Sequence, residues 1–121
     1  MTLEQGDIVL VDIADPNGKK CLTPHPAMVL TRSDEICSKD EIWVVAITGR
    51  FGVLEDGWFE VPHRANPPHK QTGLWKRSVL KCQWRRRIRK VEIIQKYGRV
   101  SMPLLRQVVA WIKNDIDKKK A

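Results

Sequence analysis

The chain has 121 residues, 42% of them hydrophobic, which is enough for one domain with a real core and too few for two. No apolar run approaches the ~20 residues of a membrane span, and the N-terminal stretch is acidic and reaches Asp12 too soon for a signal peptide. The formal charge of +8 divides unevenly: residues 1–60 hold five Lys/Arg against eleven Asp/Glu, residues 61–121 seventeen against three. A split of this kind presents one basic region, suited to a polyanion or an acidic protein. Three cysteines, Cys21, Cys37 and Cys82, show no CxxC spacing and read as reduced thiols of a cytoplasmic protein.

In chain order, "GDIVLVDIADPNG" predicts a strand over Asp7–Ile13 closed by a Pro-Asn-Gly turn. His25 follows, caught between Pro24 and Pro26, so its backbone is biased toward an extended form. Pro26–Arg32 predicts a second, central strand, and "SDEICSKDE" a polar loop. Ile42–Thr48 predicts a third strand, and Asp56-Gly57 a tight hairpin. Residues 63–73 form a Pro-rich loop in which His63 and His69 are expected to face solvent. Over residues 77–89 a two-residue period predicts a half-buried strand. Leu80, Cys82, Trp84 and Ile88 share one face; Arg77, Lys81, Gln83, Arg85, Arg87 and Arg89 share the other, with Val79 and Arg86 breaking the pattern. The C-terminal segment predicts a helix capped by Ser101, with Pro103 in its first turn. Its apolar stripe is Leu104, Leu105, Val108, Val109, Ile112 and Ile116, and residues 118–121 are expected to be a frayed, disordered tail. Five or six short strands and one helix predict a mainly β fold with a C-terminal helix, a small SH3-like barrel occupying residues 1–121 as one domain.

The motifs "GDIVLVD", "HPAMVLTR", "VVAIT", "TGLWKRSVLKC" and "GRVSMPLLRQVVAWI", in this order, resemble the toxin family of MazF, Kid and PemK from Gly6 to about Ile112. The resemblance implies a barrel of the CcdB/Kid/MazF type, a homodimer, and a metal-independent endoribonuclease that cuts single-stranded RNA at short sequences. It also implies a cognate antitoxin that lays a segment over the RNA groove. No metal and no cofactor is expected. The family places an arginine at the opening of the second strand and a Thr or Ser at the close of the third. Thr48 matches the second; at the first this chain has His25. The CcdB gyrase poisons share the fold but end in Trp-Gly-Ile, whereas this chain ends in Lys-Lys-Lys-Ala.

Cleavage of RNA without metal uses the 2′-hydroxyl as nucleophile and needs a base, an acid and positive charge around the phosphate. Arginine supplies charge and a fork matched to phosphate but hardly deprotonates. Histidine, with a reference pKa of ~6.5, supplies a base or acid at neutral pH instead. His25 and Thr48 are therefore the catalytic candidates. Lys19, Lys20 and Arg50, in flanking loops, are candidates to replace the missing charge. Arg77, Lys81, Arg85 and Arg87 are expected to hold the RNA backbone, with Trp58 and Trp75 as stacking surfaces. Trp43, Trp84 and Trp111 fit apolar patterns and read as core or dimer contacts. The alternative is a homologue that binds RNA or an antitoxin and no longer cleaves.

Overall fold

The computed structural model describes residues 2–14, 17–19 and 23–120. Six strands alternate with little helix: β1 Asp7–Val11, β2 His25–Val29, the short α1 Ser33–Ile36, β3 Glu41–Thr48, β4 Trp58–Val61, β5 Ser78–Arg89, β6 Ile93–Arg99 and α2 Met102–Lys120. The strands form one sheet in the order β4-β5-β3-β2-β1-β6, with every neighbouring pair antiparallel. β5 and β6 are joined only by the 3-10 turn Lys90–Glu92, yet three strands lie between them in the sheet. The sheet must curl to bring these ends together. This is the mainly β fold with a C-terminal helix that the apolar runs predict.

Two buried clusters occupy the two faces of that curled sheet. Val9, Val11, Ala27, Val29, Ile42, Val44, Ala46, Trp84 and Ile88 fill the concave side. Ile8, Met28, Val45, Ile47, Leu80 and Cys82 face outward and are covered by Leu104, Leu105, Val108 and Ile112 of α2. β1, β2 and β3 are thus apolar on both faces, and burying such side chains stabilises the fold by about 1.5–3 kcal/mol each. α2 begins as its sequence predicts: Ser101 Oγ accepts from the Leu104 amide at 3.3 Å. It runs past the expected end, so the lysines read as a frayed tail continue the helix to Lys120, and Ile116 at the far end of the stripe is 41% exposed.

Three expectations need correction. β4 pairs with β5 and not with β3, the strand before it in the chain, so Asp56-Gly57 makes a turn into an edge strand, not a hairpin. Gly57 is nonetheless required there: its φ is +84°, and a Cβ would stand 2.6 Å from Trp111 Cζ2. Ser33–Ile36, in the expected loop, forms a helical turn.

The third correction concerns β5. Val45 pairs with Arg85 and Ile47 with Leu80, so two steps along β3 match five along β5. This bulge reverses which way the side chains point. Leu80 and Cys82 lie under α2, whereas Trp84 and Ile88 lie in the concave core. The single basic face expected for residues 77–89 is therefore divided between two sides of the sheet.

Candidate active site

His25 is the first residue of β2 and sits opposite Val11 of β1. The β2–β3 ladder begins at Ala27 and Ala46, and its register, continued two steps outward, aligns His25 with Thr48. Thr48 pairs in turn with Val79 of β5, and Val79 with Glu60 of β4. One line of residues thus crosses four strands. Val79, Lys81, Trp58 and Glu60 alternate with Leu80, Phe59 and Val61, which pack on the helix-side cluster, so this line faces away from α2.

The histidine is half-buried and held on two sides. Its ring meets Trp84 edge-on, with centroids 5.5 Å apart and planes at 61°. Trp84 is itself fixed, donating its indole N–H to the Ala14 carbonyl at 2.9 Å. The imidazole hydrogen-bonds the backbone of Ile47, the residue before Thr48. In the neutral ring with its N–H toward that carbonyl, the other ring nitrogen is the acceptor. Burial lowers the pKa of His25, the Ile47 bond opposes this, and the charges of Lys76 and Arg50 lower it again. The result is a neutral imidazole at pH 7, ready to accept a proton. Thr48 is 6% exposed, and its Oγ1 accepts the Arg50 amide at 3.1 Å, leaving the hydroxyl proton to donate.

Around this pair the site face gathers cations seated on aromatic rings. The Arg77 guanidinium lies 4.8 Å from the Phe51 ring centre and is paired with Glu60. Lys81 lies 4.2 Å over Trp58, its partner across β4 and β5. Trp75 is 54% exposed, with Lys76 over its ring at 5.2 Å. Arg50 is exposed beside Thr48, and Lys19 is exposed in the segment before β2. Lys20, like Cys21, lies outside the described residues.

Arg85 and Arg87 are elsewhere. Arg85 binds Asp115 of α2 at 3.2 Å and its own strand's Cys82 carbonyl at 3.0 Å. Burial raises the Asp115 carboxyl, but hydrogen bonds from Arg85 and Lys119 outweigh it and hold the group below the usual range. Arg87 pairs with Glu41 at 3.5 Å and lies 6.0 Å from the Trp43 ring. Trp43, read as a core or dimer contact, is 47% exposed. It lines a cavity of about 560 Å³ with Leu30, Glu35, Lys39 and Arg87, away from His25. His63 is exposed, while His69 is partly covered and its Nδ1 accepts the Gln71 and Thr72 amides, both at 3.2 Å. Among the described residues no three His, Cys, Asp or Glu side chains converge to hold a metal ion.

Sequence reasoning passed over Phe51, Glu60 and Lys76, and read Trp84 as a core or dimer contact without its histidine. Only Lys76 carried a signal, its position beside Trp75 in the motif "TGLWKRSVLKC".

No curated protein matches the chain in sequence. Among solved structures it is similar to an endoribonuclease in complex with its cognate antitoxin from a mycobacterial species, at 10% identity and a TM-score of 0.72 over 95% of either chain. It is similar to the Mycobacterium tuberculosis toxin MazF-mt6 at 20% identity and 0.66, over 92% of this chain and 96% of that one. It is also similar to a MazE–MazF structure from Deinococcus radiodurans at 13% and 0.69, over 96% of each. At these identities the likeness is one of fold. The profile of PemK-like, MazF-like toxins of type II toxin–antitoxin systems matches residues 4–114, and with its fold and the order of its strands the chain belongs to that family.

Proposed function

We propose that this protein is the toxin of a toxin–antitoxin pair, a metal-independent endoribonuclease acting on single-stranded RNA, with His25 as its base. The observation that supports this most is the alignment of His25 with Thr48 on the sheet face away from α2, with Arg50, Arg77 and Lys81 beside them. His25 takes the proton of a 2′-hydroxyl through the ring nitrogen not directed at Ile47. The 2′-oxygen attacks the adjacent phosphorus, the bond to the 5′-oxygen breaks, and that oxygen leaves with a proton from water. Thr48 donates its hydroxyl proton to the non-bridging oxygen on which charge develops, as a fixed donor in a partly dry site. The products are a 2′,3′-cyclic phosphate and a free 5′-hydroxyl.

Arg77 and Lys81 hold the RNA backbone, while Trp58 and Trp75 offer flat surfaces to unstacked bases. An antitoxin segment with acidic side chains would occupy the same row of cations, and a dimer is expected from the family. The test is incubation of purified protein with a long single-stranded RNA in EDTA, beside His25→Ala and His25→Arg. Discrete cuts with cyclic phosphate ends, lost in His25→Ala, support the reading. The histidine in place of the family's arginine favours one second reading, a binder that no longer cuts. No cleavage by the native chain, with cleavage regained in His25→Arg, would establish it.

A further inference from the structure

A neutral imidazole that accepts the nucleophile's proton cannot also neutralise the phosphate. The site therefore needs a permanent cation beside His25. Arg77 shares its charge with Glu60, and Lys81 is drawn over Trp58 on the far side of the row. Arg50, beside Thr48, is exposed and, among the described residues, tied there through its backbone amide. Lys76 is differently placed. Its stem lies across the turn that follows Thr48, with Cε 3.1 Å and Cδ 3.5 Å from the point a Cβ on Gly49 would occupy. Its carbonyl is pinned by the hydroxyl of Ser78, a residue only 3% exposed, at 3.0 Å. Its ammonium stands over the Trp75 ring, and among the described residues no carboxylate pairs with it.

We propose that Lys76 is a catalytic residue of this site, its ammonium binding the non-bridging oxygens of the phosphate to be cut and supplying the charge that position 25 does not. The inference rests on the endoribonuclease reading. Glycine at position 49 fits the same role, since a Cβ there would press on the lysine stem and shift it by a few tenths of an ångström. The nearness of the charge is also felt by His25, whose proton affinity it lowers. Lysine suits the position because an ammonium meets phosphate as a point charge and needs no fixed fork.

The test measures binding of a labelled, fully 2′-O-methylated single-stranded RNA of mixed sequence, which cannot be cut, by fluorescence anisotropy, and cleavage of the unmodified RNA alongside. Lys76→Met should weaken binding about tenfold and cleavage by more, while Lys76→Arg stays within about threefold. Lys113→Met, exposed on α2 and away from the site face, is the control and leaves both unchanged. Thermal melting of each variant confirms the fold. Lys76→Met binding and cutting like the native chain overturns the proposal alone, and a native chain that neither binds nor cuts overturns it together with the reading beneath it.

Discussion

The bulge in β5 makes a quantitative prediction about salt. Arg77 and Lys81 lie on the face that carries His25 and Thr48, whereas Arg85 and Arg87 lie on the helix side, bound to Asp115 and Glu41. Each phosphate contact to a single strand contributes about 0.7 to the slope of log affinity against log salt. Replacing Arg77 and Lys81 together by methionine should therefore flatten the slope by about 1.4 if both engage phosphate, and by about 0.7 if Arg77 stays with Glu60. The same replacement at Arg85 and Arg87 should change it by less than about 0.3. The assay is anisotropy of a labelled, uncleavable single-stranded RNA over a series of salt concentrations, with melting curves to show that loss of the Arg85–Asp115 tie has not unfolded the chain. A slope that flattens in the Arg85/Arg87 variant and not in the Arg77/Lys81 variant would place the RNA on the helix side and refute the assignment of the face.

The cleavage rate should rise with pH through a midpoint below 6.5 and level off near neutrality, because burial first, then Lys76 and Arg50, favour the neutral imidazole of His25. His25→Ala should lower it by about 10²–10⁴-fold, and a rate that falls as pH rises would exclude His25 as the base. Gly57→Ala should cost about 2–4 kcal/mol in urea unfolding, since it combines left-handed strain with a clash on Trp111; an unchanged midpoint would mean that the turn is looser than described. Trp84→Phe should cost about 1–3 kcal/mol, the indole's bond to Ala14 being lost from a nearly buried site. Burial pushes the Cys82 thiol up to about 12 despite Arg85 nearby, so mass spectrometry after iodoacetamide treatment should find Cys37 alkylated and Cys82 untouched until the chain unfolds.

The strands with uninterrupted apolar runs, β1 to β3, and the capped helix were legible in the sequence because burial on two faces leaves no polar residue in the run. β6 was not, because Ile94, Gln95 and Lys96 are exposed and its pairing with β1 is twice out of step. The alternation along residues 77–89 was visible and correct within each half of β5. Its phase was not, since a bulge is decided by what β3 offers across the sheet. The same holds for the site. His25 and Thr48 could be named through the family's motifs, but their meeting depends on the register of β2 on β3, and no local pattern records a register. Lys76 had only its place beside Trp75 to mark it, and that does not separate a lysine in a loop from a solvated one until the turn beneath it is known.

That change of phase also bears on how the chain can vary over time. Between Lys81 and Arg85, gaining or losing one residue is more than a difference in length, because every side chain on one side of the change would turn over relative to the other. A deletion at Gln83 would carry Arg85 away from Asp115 or drive Lys81 under α2, and either result puts a charge where an apolar contact stood. Substitutions there can be absorbed one at a time. Indels cannot, so descendants of this sequence should keep the spacing from Lys81 to Arg85 even where they keep none of the residues between.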